Sequence, residues 1–270
     1  MTIVKRKDVA EAYRKAGAVP GDTIVFHGSM KSLGYMEGGP TALFDGILDS
    51  CAPGGTAAIA TLWYNGKPLE RPPEKFVLAE SPAYNGLMAE SLRKDPRSLR
   101  SNNFSHSVSA IGSRKEELTE NHGGGKKFPT PWNDEAFAEV SPWSKFYLWN
   151  ALYTFIGVDF NVCTMKHYIE SRLVDHFLSL LPPEKRSSFR LKLAHDMGHG
   201  VWCPFNMWEM QDFYEEKGLV SRVSLGDAVL LSIRTRPLVD VGLQRLLDNT
   251  EKLLDKEFAT WVDEVKNFSR

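Results

Sequence analysis

The sequence predicts an α/β fold with a mixed sheet, and three observations carry that expectation. Short apolar runs rich in β-branched residues alternate with helix-like segments from residue 23 to residue 181. Alternation of that kind favours helices layered on a sheet that is at least partly parallel. Glycine and proline punctuate nearly every junction, and no internal repeat or low-complexity linker divides the 270 residues, so residues 1–270 read as a single domain.

Residues 7–17 have helical spacing and end at Gly17, Pro20 and Gly21. Residues 23–26 form a short buried strand, and a polar, glycine-bounded loop runs from His27 to Gly34. Residues 40–51 form a helix with Pro40 in its first turn, stopped by Pro53-Gly54-Gly55. Residues 56–63 are a second strand, and the proline- and charge-rich stretch 65–82 is a surface excursion.

A helix over 86–94, a strand over 107–111 and a helix over 114–121 follow, the last ended by three successive glycines. Residues 143–151 are helical, 153–158 a strand, and 164–181 a helix closed by Pro182-Pro183. Beyond it, 189–194 and 201–205 resemble a β-hairpin, 212–217 and 238–254 are helical, and 228–233 is a last strand.

Apolar residues make up 42% of the chain and charged residues 25%, with a net charge of −1. Acidic and basic residues are interspersed, so no basic face recruits nucleic acid and no acidic run prepares the chain for a polycation. A singly charged or zwitterionic small molecule fits better. No apolar run approaches the roughly 18 residues of a membrane span, and no signal-like segment opens the chain. Three cysteines, Cys51, Cys163 and Cys203, without a CxxC pair, suit a reducing compartment and no structural metal. The expected setting is cytoplasmic.

His167 and Glu170 are the residues most suggestive of chemistry. Residues at i and i+3 share a helix face, roughly 5–6 Å apart at Cβ, so an imidazole and a carboxylate can meet there and handle a proton. The loop with Ser29, Lys31 and Ser32 offers hydroxyls, a cation and backbone N–H groups where open α/β sheets bind ligands. Thr61 ends the second strand and could face the same cleft, and His106 and Ser107 open the third. His195 and His199 are spaced i, i+4, but the flanking Gly198 and Gly200 argue against a helical metal pair. Cys163, four residues before His167, could share a helix face with it and act as a nucleophile. Trp132, Trp143, Trp149, Trp202 and Trp208 read as core and cleft wall, because no basic residues interleave them.

Together these segments resemble the aminoglycoside 3-N-acetyltransferase family over nearly the whole chain. The family's opening loop is similar to His27-Gly28-Ser29-Met30-Lys31-Ser32-Leu33-Gly34, followed by Gly38-Gly39-Pro40. Pro53-Gly54-Gly55-Thr56, Ala60-Thr61-Leu62 and Ser81-Pro82-Ala83-Tyr84-Asn85-Gly86 resemble its next motifs. Arg100, Ser101, His106, Ser107 and Gly112 match a later one, and Ile156-Gly157-Val158 leads without a gap to Thr164, His167 and Glu170.

The resemblance implies a three-layer α/β/α sandwich of the family's type, here with a C-terminal β-hairpin and helical extension. It implies acetyl-CoA as co-substrate, held by His27, Ser29, Lys31, Ser32, Thr61, Ser101 and Ser107. His167 would act as general base, supported by Glu170, on a primary amine of an amino sugar or aminoglycoside-like compound held near His106, Asn206 and Glu209. The departures are Gly28 for a serine, Asn103-Phe104 for His-Pro, Phe160 where a histidine is frequent, and Asn206 where the family tends to place an acid. A relative working through Cys163, or one without catalysis, is the alternative.

Overall fold

The computed structural model describes residues 1–64, 72–198 and 200–269. Its strands are β1 (Ile3–Val4), β2 (Thr23–Gly28), β3 (Tyr35–Met36), β4 (Thr56–Ala60), β5 (Leu99–Arg100), β6 (Val108–Gly112), β7 (Leu152–Ile156), β8 (Ser221–Leu225) and β9 (Ala228–Arg234). The helices are α1 (Arg6–Lys15), α2 (Gly39–Ser50), α3 (Leu87–Lys94), α4 (Lys115–Thr119), α5 (Pro142–Leu148), α6 (Met165–Ser179), α7 (Pro183–Met197), α8 (Met207–Glu216), α9 (Thr235–Asp248), α10 (Thr250–Leu253) and α11 (Lys256–Phe268).

Seven strands form one mixed sheet in the order β5-β6-β4-β2-β7-β9-β8, and β1 pairs with β3 in a small parallel ribbon. The centre is parallel, β2 pairing with β4 on one side and β7 on the other, and both flanks are antiparallel. Because side chains alternate along a strand, the sheet feeds two cores. Ile24, Phe26, Ala57, Ile59, Leu152 and Ile156 face α1, α2 and α3. Val25, Ala58, Ala60, Tyr153 and Phe155 face the layer that holds α5, α6, α8, α9 and α11. The expected three-layer sandwich and mixed sheet are therefore present.

The expected hairpin over 189–194 and 201–205 is not. Residues Pro183–Met197 are the helix α7, with Pro183 at its first position and Gly198 left-handed at φ 67° beyond its end. Phe189, Leu191 and Leu193 alternate with polar residues and mimic a strand, but only the i, i+4 pair Phe189 and Leu193 packs on the core, while Leu191 is 68% exposed. Residues 201–205 form no strand; Phe205 makes an isolated bridge to Leu254. A true C-terminal hairpin, β8–β9, lies instead at the sheet's edge. The loop expected after residue 26 is also more ordered, since β2 runs to Gly28 and a 3₁₀ turn spans Met30–Leu33. The second expected strand ends at Ala60 rather than at residue 63. The first seven residues of the excursion anticipated over 65–82, residues 65–71, lie outside the described residues, as does His199, and the remainder carries a 3₁₀ turn at Pro73–Lys75. Among the described residues no helix is long and apolar enough to cross a membrane.

The parallel centre places the carboxyl ends of β2, β4 and β7 at one edge, with the start of antiparallel β6 beside them. Since β2 has its parallel neighbours on both sides, the strand order reverses at β2, the position at which open α/β sheets form a ligand crevice. Gly157 makes the turn after β7 at φ 61°, and a Cβ there would run into the Ser32 side chain. Gly157→Ala is therefore expected to lower stability by about 1–3 kcal/mol in urea titration; an unchanged midpoint would mean that the Ser29–Ser32 turn yields freely.

Candidate active site

Gly157 sends the chain out of β7 into a 3₁₀ turn at Phe160–Val162, where the Asp159 carboxylate accepts the Asn161 N–H at 3.0 Å. Helix α6 then starts at Met165 and carries His167 in its first turn. The spacing delivers the expected pair: His167 Nδ1 lies 2.7 Å from Glu170 Oε2. Glu170 is 3% exposed, and the same oxygen accepts the Trp202 indole N–H at 2.7 Å. Its other oxygen has no hydrogen-bond partner among the described residues, with the Lys166 ammonium 3.8 Å away. A buried carboxylate held this way fixes the tautomer of the ring. The Nδ1 hydrogen points to Glu170, and Nε2 is left bare as a proton acceptor.

Aromatic rings wall the imidazole. Trp132 stands edge-on with its ring centre 4.4 Å from that of His167, His106 lies 5.7 Å away and Trp202 6.4 Å away. Asn103 organises His106: its side-chain oxygen accepts from the Ser105 and His106 N–H groups at 3.1 and 2.9 Å, and Ser105 Oγ lies 3.0 Å from His106 Nδ1. Burial, aided by the nearby His167 and His122, holds His106 well below the ordinary histidine range and hence neutral.

A pocket of about 220 Å³ opens at the strand ends, lined by His27, Gly28, Leu62, Asn85, Val158, Val162 and Thr164. Thr164 immediately precedes α6, and its carbonyl accepts the His167 N–H at 3.0 Å. Asn85 pins the end of β4, accepting from the Leu62 N–H at 3.1 Å and donating to the Ala60 carbonyl at 2.8 Å. His27 is buried, its Nε2 2.7 Å from the Tyr153 hydroxyl, and burial lowers its pKa to about 4. Next to the pocket, Ser29 leads the 3₁₀ turn, Ser32 Oγ donates to the Gly157 carbonyl at 3.2 Å, and Lys31 is exposed.

Other residues expected to contact the donor are occupied inside the protein. Thr61, Ser101 and Ser107 are fully buried. Thr61 Oγ1 meets Ser109 Oγ at 3.1 Å, Ser107 Oγ donates to the Thr61 carbonyl at 2.7 Å, and Ser101 Oγ accepts the Val108 N–H at 2.9 Å. Arg100 ties this cluster together, donating to Ser107 Oγ and to the carbonyls of Ser81 and Thr61. These matching residues build the end of the sheet rather than the crevice.

Of the three residues expected at the acceptor side, His106 stands beside His167, whereas Asn206 and Glu209 are exposed at the start of α8 and engaged there. Asn206 caps α8, its side-chain oxygen accepting the Trp208 N–H at 3.0 Å, a task an aspartate does equally well. Glu209 pairs with Arg245 at 3.2 Å. His195 is solvent-exposed on α7 beside Asp196. Among the described residues no group of His, Cys, Asp and Glu side chains converges to hold a metal.

Cys163 precedes α6 rather than riding on it, is buried, and has its thiol pushed up to about 12 by that burial. A thiol so placed carries almost no thiolate at neutral pH and is inert. Cys163→Ala is expected to keep full turnover, and iodoacetamide should leave the native protein active; inactivation with adduct at Cys163 would reverse this assignment. Trp202, which completes the Glu170 site, lies 32 residues from it, and no spacing rule relates them.

The family model described as Aminoglycoside 3-N-acetyltransferase matches residues 25–247. Aminoglycoside N(3)-acetyltransferase VII of Streptomyces paromomycinus is 25% identical over 224 residues, which span 77% of this chain and 72% of that one. Aminoglycoside N(3)-acetyltransferase VIII of Streptomyces fradiae is 28% identical over 171 residues, 58% of this chain and 57% of the relative. Among solved structures, the apoenzyme of aminoglycoside acetyltransferase AAC(3)-IVa shares the fold with a TM-score of 0.69 at 17% identity, covering 98% of this chain and 97% of that one. AAC-IIIb in binary complex with CoASH gives a TM-score of 0.64 at 18% identity, covering 91% and 97%.

Proposed function

The chain belongs to the aminoglycoside 3-N-acetyltransferase family, and from that premise we propose that residues 1–270 act as one CoA-dependent N-acetyltransferase. An acetyl group passes directly from acetyl-CoA to a primary amine of an amino sugar or aminoglycoside-like compound, with His167 as general base. One observation carries the reading: Glu170 holds His167 through Nδ1 and leaves Nε2 free in the first turn of α6, the helix that opens directly after Thr164, a residue lining the pocket at the strand ends. One fold relative is described with CoASH bound and another with sisomicin.

In the proposed reaction His167 Nε2 takes a proton from the acceptor's amine nitrogen, whose lone pair then attacks the thioester carbonyl carbon. The carbonyl electron pair moves onto oxygen, and its return breaks the C–S bond. The thiolate leaves and takes up the proton as CoA thiol. Glu170 stabilises the imidazolium formed midway, and the aromatic wall of Trp132 and Trp202 keeps water from the base. The pocket's size suits the thioester end of the donor, and the Ser29–Ser32 turn with exposed Lys31 offers hydroxyls and a cation to its more polar remainder.

An amine panel including sisomicin and glucosamine, followed by release of CoA thiol, tests the proposal. Acetylation of either amine supports it. Absence of turnover across the panel despite acetyl-CoA binding would favour a chain that keeps the fold without this chemistry.

A further inference from the structure

The general base leaves a second requirement of acyl transfer unmet: a hydrogen-bond donor for the oxygen on which charge develops. His27 stands in the pocket at the carboxyl end of β2, on the sheet face that packs against α6. Its Nε2 is taken by the Tyr153 hydroxyl at 2.7 Å. The Tyr153 oxygen in turn accepts the Met165 N–H, at 3.4 Å, from the first turn of α6. With its oxygen accepting from the backbone, the phenol directs its own hydrogen to Nε2, the strongest neutral acceptor in reach. A neutral imidazole that accepts at Nε2 must carry its hydrogen at Nδ1.

Nδ1 has no partner among the described residues, and Phe155, stacked on the His27 ring at 5.9 Å and 16°, fixes the ring plane. The one unoccupied polar atom of a buried, pocket-lining ring is therefore a donor.

We propose that His27, held as its Nδ1–H tautomer by Tyr153, donates a hydrogen bond to the thioester carbonyl oxygen of the acyl donor and is the oxyanion donor of the reaction. Tyr153 is a positioning residue, acting only through His27. As the amine nitrogen bonds to the carbonyl carbon, the C=O pair shifts to the oxygen held by Nδ1–H, and it returns when the C–S bond breaks. The proton stays on His27 throughout, so His27 and His167 divide the work: one donates a hydrogen bond, the other accepts a proton. Burial keeps His27 neutral through the working pH range, which suits a donor that must not become a competing acid.

This inference rests on the reading of the chain as an acetyl-CoA enzyme, and the test separates the two. Isotope-edited infrared spectra of [1-13C]acetyl-CoA bound to the wild-type chain, to His27→Gln, to Tyr153→Phe and to His167→Ala read the hydrogen bond to the carbonyl without any acceptor. The carbonyl band should fall below that of free acetyl-CoA in the wild type and in His167→Ala, and move back toward it in the other two. An equal band in wild type and His27→Gln overturns the role of His27, whereas absence of acetyl-CoA binding overturns the underlying reading and this inference with it. Long-range proton–nitrogen NMR of 15N-histidine-labelled wild type stands even if a variant misfolds. Nδ1–H at His27 is expected, and Nε2–H would contradict the proposal.

Discussion

His167→Ala is expected to lower kcat by about 10²–10⁴, the range a positioned base supplies, while acetyl-CoA still binds. The imidazole projects from the first turn of a 15-residue helix whose packing runs through Met165, Tyr168, Ile169 and Leu173. Alanine is the best helix former, so α6 persists without the ring. The pocket at the strand ends is lined by Thr164 and by the ends of β2, β4 and β7, none of which depends on the imidazole. Turnover and donor binding should therefore separate, calorimetry reporting an affinity close to that of the wild type. A variant that loses both together would place His167 in donor binding. Glu170→Gln should lose less, because a glutamine oxygen still accepts from Nδ1 and from Trp202 but no longer offsets the imidazolium charge.

Acid should unfold the protein well above the pH at which carboxylates titrate. His27 and His122 are buried, and burial lowers each to about 4; His106 is lowered as well, from the same cause first. Their hydrogen bonds suit the neutral ring: His122 Nε2 donates to the Ala136 carbonyl at 2.9 Å, and Nδ1 lies 2.9 Å from Ser101 Oγ. Unfolded histidines take up protons below about pH 6.5, whereas these stay neutral in the fold until about pH 4.

The unfolded chain thus binds more protons through that window, and stability falls as pH falls. Their contribution is complete above about pH 6.5 and lost on the way down to pH 4, at about 3 kcal/mol for each of the two by linkage. Urea midpoints between pH 7 and 5 should drop steeply, and His122→Gln should flatten the slope. A stability independent of pH over that range would contradict the buried neutral state of these rings.

Much of the fold was legible because the chain writes its layers in two periods. Runs such as Ile24-Val25-Phe26 with glycine at their ends signal strands buried on both faces, and α1, α2 and α6 carry their start and stop residues openly. In helix α7, Phe189, Leu191 and Leu193 satisfy a strand's period of two, whereas only Phe189 and Leu193, four apart, turn toward the core, where the Trp261 indole donates to the Phe189 carbonyl at 2.9 Å.

In the site, His167 and Glu170 were readable because one helical turn joins them. Trp202 and Tyr153 complete the arrangement through tertiary contacts that no local pattern encodes, whereas Lys166 reaches Glu170 by the i, i+4 spacing of α6. Thr61, Ser101 and Ser107 show the converse: serines and threonines at strand ends look alike in sequence whether they face a crevice or a neighbouring strand, and Arg100 draws two of them into the interior.

Calorimetric titration of the wild-type chain with acetyl-CoA, alone and with sisomicin present, tests the central claim most directly. The account predicts saturable binding with a dissociation constant on the order of micromolar, in the range enzymes adopt for their substrates, and release of CoA thiol once the amine is added. No binding under either condition would contradict a donor site at the strand ends and leave the His167–Glu170 pair without a reaction to serve.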